Sequence, residues 1–317
     1  MSLVGAILKR ALLSPGRVAA IDDLRRYSYA RIGVGAFYLA DAIEQATGAR
    51  HVGLLLPTSG AFPIALLGAW ILGRVAVPLN YLLSKNELAY VIHDSDIDTI
   101  LTVQPMLDFL DDGAIPDHIN VVRLEDIDRT GFPTPRWPAP LAPDDLAVLL
   151  YTSGTSGKPK GVMLTHGNLE SNVNAGIEHA RLTQADAFLG VLPQFHSFGL
   201  TALTLIPLRI GSTVIYSARF VPRRIVELIR KHKPDILMAV PSMYGAMLTV
   251  KSATPDDFAS IRLPISGGEP LPDVIYEQCR ERFGLQILEG YGLTETSPIT
   301  HWSTPHAHKR HSVGTSV

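Results

Sequence analysis

Residues 151–161 concentrate groups that bind anionic oxygen, in the order Tyr-Thr-Ser-Gly-Thr-Ser-Gly-Lys-Pro-Lys-Gly. Glycine lets the backbone turn tightly and bring its N–H groups close to a ligand, hydroxyls donate hydrogen bonds, and lysine supplies positive charge. This composition predicts a polyphosphate site, and the alternative is an ordinary surface turn. The spacing is not that of the P-loop, because Gly157 and Lys158 are followed by Pro159 instead of Ser or Thr.

Two more glycine-containing segments follow predicted strands. Residues 266–270 read Ser-Gly-Gly-Glu-Pro after an apolar run at 263–266, and residues 289–295 read Glu-Gly-Tyr-Gly-Leu-Thr-Glu after a predicted strand at 286–288. Ligands of open α/β sheets bind at the carboxyl ends of the strands. An aromatic ring, a hydroxyl and a carboxylate at such an edge suit a nucleotide with a hard cation. The alternative is a glycine-rich turn with a capping threonine.

These segments resemble the motifs of the adenylate-forming superfamily, which comprises acyl- and aryl-CoA synthetases, luciferases and the adenylation domains of peptide synthetases. The match of the loop is long, from Tyr151 to Asn168. The resemblance implies that the loop holds the β- and γ-phosphates of ATP. The residues carried over are Thr152, Ser153, Gly154, Thr155, Ser156, Gly157 and Lys158, while Lys160 matches the motif without an assigned role.

The resemblance assigns roles to the other two segments. It implies that Tyr291 stacks on adenine, that Thr294 bonds the α-phosphate and that Glu295 binds Mg²⁺. The rest of the implied nucleotide site is Gly267, Gly268, Glu289, Gly290 and Gly292. The implied catalytic residues are Thr155, Lys158, His196, Thr294 and Glu295.

The motif Phe-His-Ser-Phe-Gly at 195–199 bears on the substrate. In the family its histidine borders the acyl pocket, where amino-acid-activating members carry Asp to pair the substrate ammonium. A buried ammonium without a partner is costly, so His196 argues against an amino acid. The motif is most similar to fatty acyl-CoA and acyl-carrier-protein synthetases. The alternative for His196 is a histidine that only packs in the core.

The implied reaction converts a carboxylic acid, here a fatty acid, and ATP into acyl-adenylate and pyrophosphate, with transfer to coenzyme A. Two other classes of function compete: a nucleotide- or acyl-binding module without catalysis, and a phosphotransferase, which the absent P-loop spacing disfavours. The family's ribose-binding Asp motif, hinge and C-terminal lid domain with its lysine have no match in the sequence. We therefore expect this chain to bind nucleotide and acid with little or no activity without the lid domain.

The composition limits the kinds of partner that the protein can bind and indicates the compartment in which we expect it. Lys and Arg total 28 against 30 Asp and Glu, so there is no basic excess for nucleic acid. Cys279 is the one cysteine, which excludes an intrachain disulfide. The apolar run 62–72 is too short for a bilayer, and no secretory signal is visible, so we expect a cytoplasmic protein. A membrane surface and a second copy of the chain are further candidate partners.

The alternation of predicted strands and helices indicates an α/β fold. With the resemblance, it predicts two packed, mostly parallel sheets flanked by helices, the N-terminal part of an adenylate-forming enzyme. We expect a first α/β unit over about 1–130, a proline-rich linker at 131–143 and a unit with the phosphate loop over 144–317. The linker assignment rests on five prolines, which prevent a helix or a central strand.

Overall fold

The structure, a computed structural model, describes residues 2–152 and 157–317. The predicted phosphate-binding residues Ser153, Gly154, Thr155 and Ser156 lie outside the described residues.

Two sheets make up the framework of the described part of the chain. The strands are β1 (Val18–Ile21), β2 (Arg26–Ser28), β3 (His51–Leu55), β4 (Val75–Pro78), β5 (Thr99–Thr102), β6 (Asn120–Arg123), β7 (Leu146–Thr152), β8 (Lys160–Thr165), β9 (Ala187–Gly190), β10 (Thr213–Tyr216), β11 (Ile236–Ala239), β12 (Leu263–Ser266), β13 (Leu288–Gly292), β14 (Ile299–Trp302) and β15 (Thr315–Ser316).

The helices of the described residues connect these strands. They are α1 (Leu3–Leu13), α2 (Tyr29–Ala46), α3 (Ala61–Ile71), α4 (Lys85–Asp94), α5 (Gln104–Leu107), α6 (His166–His179), α7 (Ser197–Leu200), α8 (Ile206–Ile210), α9 (Pro222–His232), α10 (Pro241–Met247), α11 (Pro255–Phe258) and α12 (Asp273–Phe283). A π-helical turn (Thr201–Leu205) joins α7 to α8, and Thr294–Thr296 form a 3₁₀ turn.

Both sheets are mostly parallel, as predicted. Within the described residues, one has nine strands in the order β15-β14-β13-β12-β11-β9-β10-β1-β2, and the other has six in the order β6-β5-β3-β4-β7-β8. The pairs from β1 to β13 in the first sheet and from β6 to β7 in the second are parallel. The antiparallel pairs are β1 with β2, β13 with β14, β14 with β15 and β7 with β8.

Helix α3 shows where the core lies. Its residues from Phe62 to Ile71 are almost entirely buried, so the apolar run 62–72 is a core helix. It packs against α2, and Gly68 permits the close approach because a Cβ there would lie 2.7 Å from the Cβ of Leu39. Among the described residues, no helix combines the length and the apolar character needed to cross a membrane.

In both sheets, a strand that precedes the proline-rich segment 131–143 pairs with a strand that follows it. Strand β7, which follows it, pairs with β4, which precedes it, and β1 pairs with β10. The segment itself lies against the N-terminal half of the chain, since Arg136 forms ion pairs with Asp41 and Glu44. The division of the chain into two units at this segment stays a prediction.

Candidate functional site

A cavity of about 340 Å³ lies at the edge formed by the ends of β11, β12 and β13 and by the start of α7. Nine residues of the predicted site line it: Thr152, His196, Gly267, Gly268, Gly290, Tyr291, Gly292, Thr294 and Glu295. The volume is near the lower end of the range of about 300–1,000 Å³ that is usual for small-molecule sites. Four segments far apart in sequence therefore meet around one concave surface.

Glycines bring this part of the backbone close together. A Cβ at Gly292 would lie 2.1 Å from the carbonyl oxygen of Pro298, and one at Gly267 would lie 3.1 Å from Cε1 of Phe198. Gly268 has φ +84°, a conformation that other residues adopt at a cost. Strand β13 includes Glu289 to Gly292, so the first four residues of the motif lie within the strand and not after it as predicted. The reason is its antiparallel pairing with β14, in which Tyr291 faces His301.

Thr294 and Glu295 project from the 3₁₀ turn that follows β13. Thr294 is buried, and its Oγ1 lies 3.2 Å from Oγ of Ser197. The same turn is fixed by Thr201, whose hydroxyl donates to the carbonyl of Ser297 at 3.1 Å. Glu295 is exposed to the cavity, and no ion pair involves it within the described residues. The turn therefore presents a fixed hydroxyl next to a free carboxylate.

The surroundings of His196 favour a neutral imidazole. Its Nδ1 accepts a hydrogen bond from the backbone N–H of Phe198 at 3.2 Å and caps α7. Loss of hydration on burial lowers the pKa of His196, which favours the neutral form at pH 7. With Nδ1 used as an acceptor, the ring proton resides on Nε2. His196 can therefore donate one hydrogen bond to a group in the cavity.

The predicted phosphate loop connects two antiparallel strands, β7 and β8. Thr152 pairs with Lys160, and Tyr151 pairs with Gly161. Strand β8 was not predicted from the sequence, because its short run Lys-Gly-Val-Met-Leu-Thr shows no clear alternation of polar and apolar residues. Thr152 lines the cavity, whereas Gly157 and Lys158 are not among the lining residues. The Lys158 ammonium lies 5.5 Å from the ring centroid of Tyr90.

Glu289 does not line the cavity. Its Oε1 lies 2.7 Å from Nη1 of Arg310, whose guanidinium also pairs with Asp273 and lies 4.1 Å from the ring centroid of Tyr276. Both partners are largely buried, at 20% exposure for Arg310 and 15% for Glu289. In this structure Glu289 thus anchors the start of β13 to the segment before β15, and its predicted nucleotide contact stays a prediction.

Apolar and aromatic side chains form the remaining walls. The additional lining residues are Ser197, Phe198, Ala202, Met238, Ile265, Leu293, Pro298, Ile299, His301 and Trp302. None of the described lining residues is Lys or Arg, and Glu295 is the one carboxylate among them. Sequence reasoning missed Met238, His301 and Trp302, because Met238 reads as a core strand residue and β14 lacked a clear strand signal.

Could the site hold Mg²⁺? Within the described residues, no group of three or more His, Cys, Asp or Glu side chains could hold a metal ion. Mg²⁺ needs no such group, because it is usually bound by one or two carboxylates together with substrate phosphates and water. The free carboxylate of Glu295 beside the hydroxyl of Thr294 fits that kind of site.

The fold and the site together define a mostly parallel α/β protein with a nucleotide-sized cavity at the carboxyl edge of its larger sheet. The model of the AMP-binding enzyme family matches residues 8–317, so the chain belongs to this family. The predicted resemblance is thereby confirmed.

Individual relatives act on different acids. The chain is 29% identical over 294 residues to the long-chain-fatty-acid–CoA ligase of Bacillus subtilis (strain 168), and the match covers 79% of this chain and 52% of the relative. It is 29% identical over 310 residues to the 4-hydroxybenzoate–CoA/benzoate–CoA ligase of Rhodopseudomonas palustris, and the match covers 92% of this chain and 57% of the relative. The chain thus spans little more than half the length of these relatives.

A solved structure confirms the predicted fold. The crystal structure of an anthranilate CoA ligase in complex with anthranoyl-AMP superposes with a TM-score of 0.91 at 26% sequence identity. The match covers 100% of this chain and 63% of that one.

Proposed function

We propose that this protein activates a carboxylic acid with ATP to form an acyl-adenylate, and that the full-length enzyme transfers the acyl group to coenzyme A. The observation that carries this proposal is the cavity that Tyr291, Thr294, Glu295 and His196 line together. Membership of the AMP-binding family supports it, as do relatives that are acid–CoA ligases. The chain's activity, its substrates and its coenzyme A acceptor are all part of this proposal.

The first step needs no nucleophile from the protein. A carboxylate oxygen of the acid attacks the α-phosphorus of ATP, and the bond from that phosphorus to the bridging oxygen breaks and releases pyrophosphate. Bound Mg²⁺ would neutralise phosphate charge, with Glu295 as its protein ligand. In the second step the sulfur of coenzyme A bonds to the acyl carbon, AMP leaves, and the thiol proton passes to solvent.

The residues of the cavity orient and stabilise the reacting groups. Tyr291 is 50% exposed and so presents ring surface on which adenine can stack. The Thr294 hydroxyl can donate to the α-phosphate while the Ser197 hydroxyl donates to Oγ1 of Thr294 behind it. His196 donates from Nε2 to the carboxylate of the acid. Fixed donors aimed at developing negative charge are an effective form of transition-state stabilisation.

The acid itself is proposed to be a fatty acid. The apolar walls and the absence of Lys or Arg from the described lining residues fit an acid with neither an ammonium nor a second carboxylate. Phe198, Tyr291 and Trp302 in the same walls, together with the modest volume of about 340 Å³, favour a compact aryl acid as the second candidate. Both candidate acids would undergo the same adenylation reaction, and they differ only in the group attached to the carboxylate, which is an alkyl chain or an aromatic ring.

The test is acid-dependent exchange of labelled pyrophosphate into ATP, with short, medium and long fatty acids and with benzoate. Exchange with one class of acid, even at a low rate, and its loss in Tyr291→Ala would support the proposal. Nucleotide binding without exchange from any acid would favour the non-catalytic binding module. Neither binding nor exchange would overturn the proposed function.

A further inference from the structure

We propose that Asn172 of α6 is a positioning residue for the turn that presents Thr294 and Glu295 to the cavity. The inference rests on the proposed function, because it concerns the hydroxyl and the carboxylate that would contact the α-phosphate and Mg²⁺. Asn172 lies outside every motif of the sequence analysis, and it is not among the residues that line the cavity. It would act through the backbone of the turn and not by touching the substrate.

The side-chain amide of Asn172 pairs with both backbone polar groups of one residue, Ile299. Its Nδ2 donates to the carbonyl of Ile299 at 2.7 Å, and the N–H of Ile299 donates to Oδ1 at 3.1 Å. Nδ2 also donates to the carbonyl of Thr296 at 3.3 Å. One half-buried side chain of α6 therefore holds both ends of the segment 296–299, directly after the two functional side chains.

The turn from Leu293 to Pro298 is closed by its own hydrogen bonds. The carbonyl of Pro298 accepts the N–H of Leu293 at 3.1 Å, and the hydroxyl of Thr296 donates to the carbonyl of Leu293 at 2.8 Å. A turn that is closed in this way can keep its shape and still shift as a unit. Its contacts with neighbouring elements therefore decide where Thr294 and Glu295 lie.

A strained residue lies at the centre of these contacts. Ser297 has φ +77°, in the left-handed region that is unfavourable for a residue with a side chain. The carbonyl of Thr296 before it accepts from Asn172, and its own carbonyl accepts from Thr201 at 3.1 Å. Such a conformation persists where the surroundings fix it. Asn172 and Thr201 therefore hold the turn together, one from α6 and the other from the π-helical turn.

The face of α6 that carries Asn172 packs along β14. Gly176 and His179 follow Asn172 by four and seven residues, so all three lie on one face of the helix. A Cβ at Gly176 would lie 3.4 Å from Cδ1 of Ile299, and Nε2 of His179 donates to the carbonyl of Trp302 at 2.8 Å. Helix α6 thus supports the strand whose Ile299 and Trp302 line the cavity.

The expected consequence of losing Asn172 is confined to phosphate recognition. A shifted turn would move the Thr294 hydroxyl away from the place of the α-phosphate. Tyr291 lies on β13, before the turn, so its ring would still be available to adenine. AMP carries both the base and the phosphate, whereas adenosine carries the base without the phosphate. The two ligands therefore separate a loss of positioning from a general loss of the fold.

The decisive variant is Asn172→Ala, because alanine is favourable in a helix and the substitution removes only the amide. We expect the dissociation constant of AMP to rise about three- to ten-fold, which is part of what loss of a hydrogen bond to a charged group implies. The dissociation constant of adenosine should stay within about two-fold of the wild-type value. In a Thr294→Val background, Asn172→Ala should leave the AMP affinity unchanged, because the hydroxyl that it positions is already absent.

Asn174→Ala is the matched control. Asn174 lies two residues further along α6 and is exposed, so the same substitution alters the helix without reaching the turn. It should change neither the AMP affinity nor the adenosine affinity. Equal losses of AMP and adenosine affinity in Asn172→Ala would show a purely structural role and overturn the inference.

Asn172→Asp tests which half of the amide matters. A carboxylate still accepts the N–H of Ile299, but it cannot donate to the carbonyls of Ile299 and Thr296. The AMP affinity should therefore fall at least as far as in Asn172→Ala, with Asn174→Asp as the control for the added charge. An Asn172→Asp variant with the wild-type AMP affinity would overturn the inference, because the donated hydrogen bonds would then have no effect on phosphate binding.

Hydrogen exchange of the ligand-free protein gives a readout without nucleotide. The peptide that covers 293–302 should exchange several-fold faster in Asn172→Ala than in the wild type or in Asn174→Ala. Unchanged exchange together with unchanged AMP affinity would refute the positioning role and leave the proposed function intact. A wild-type protein that binds neither AMP nor adenosine would refute both.

Discussion

Gly292 and Gly290 lie two residues apart on β13 and line the same cavity, yet alanine should have opposite consequences at the two positions. A Cβ at Gly292 would lie 2.1 Å from the carbonyl oxygen of Pro298, which is backbone and cannot rotate away. A Cβ at Gly290 meets nothing closer than the carbonyl oxygen of His301 at 3.6 Å, an ordinary contact. We therefore expect Gly292→Ala to displace Pro298 and Gly290→Ala to be tolerated.

The displaced carbonyl sets the size of the effect. It accepts the Leu293 N–H at 3.1 Å and the Thr296 hydroxyl at 2.5 Å, which close the turn that presents Thr294. Two hydrogen bonds at about 0.5–1.5 kcal/mol each, with overpacking of about 1–3 kcal/mol, give a loss of about 2–6 kcal/mol in the free energy of unfolding. For a chain of this size, that corresponds to a fall of roughly 3–9 °C in melting temperature.

Thermal unfolding followed by circular dichroism, without ligand, measures both variants under one condition. Gly292→Ala should melt well below the wild type, and Gly290→Ala should stay within about 2 °C of it, as expected of a strand glycine replaced without a clash. Equal melting temperatures for the two variants, or a larger loss in Gly290→Ala, would refute the steric reasoning.

Further predictions concern the Thr294 hydroxyl, the ion pair of Arg310 with Glu289 and the imidazole of His196. Thr294→Val should slow acid-dependent pyrophosphate exchange by about 10–100-fold, since it removes a hydrogen bond to a charged group, while Thr294→Ser retains that bond and most of the rate. A Val variant at the wild-type rate would exclude contact of the Thr294 hydroxyl with phosphate. Arg310→Met should lower the free energy of unfolding by about 1–3 kcal/mol in urea titrations, because Glu289 stays largely buried without its cation, and Arg310→Lys should lose less. His196 has a lowered pKa in the folded state, so the unfolded chain binds more protons and stability falls as pH drops below about 6.5. The melting temperature of His196→Gln should therefore fall less than that of the wild type between pH 7 and pH 5, and parallel pH profiles would contradict this coupling.

Many of the buried strands and helices could be predicted from the sequence, because the residue patterns that indicate them are local. Short apolar runs such as 236–240 and 263–266, each stopped by Pro or Gly, predict buried parallel strands, and β11 and β12 occur there. The apolar run 62–72 carries no helical amphipathicity, and its burial on all sides as α3 explains why.

Antiparallel strands at the sheet edges could not be predicted in the same way. Strand β8 is half exposed and mixes polar with apolar residues, and β14 depends on pairing with β13 and not on its own pattern. Because β14 was missed, so were its cavity residues His301 and Trp302. Register between distant segments is a tertiary property that local propensity does not encode.

The candidate site was predictable where motif residues face one edge of a sheet. Tyr291, Thr294, Glu295 and His196 meet at the cavity as their motifs suggested. Glu289 shares a motif with Tyr291 but pairs with Arg310, because a distant segment near residue 310 supplies the cation. Membership of the same motif therefore did not show which residues line the cavity and which stabilise the fold.

Calorimetric binding of a non-hydrolysable acyl-adenylate analogue, with a sulfamoyl group in place of the phosphate, tests most directly whether this cavity is an adenylate site. The wild-type chain should bind the analogue more tightly than AMP or the free acid. Tyr291→Ala should weaken that binding by about 10–100-fold through lost base stacking, while Tyr291→Phe retains it. Binding that is absent in the wild type, or equal in Tyr291→Ala, would contradict the assignment of the cavity.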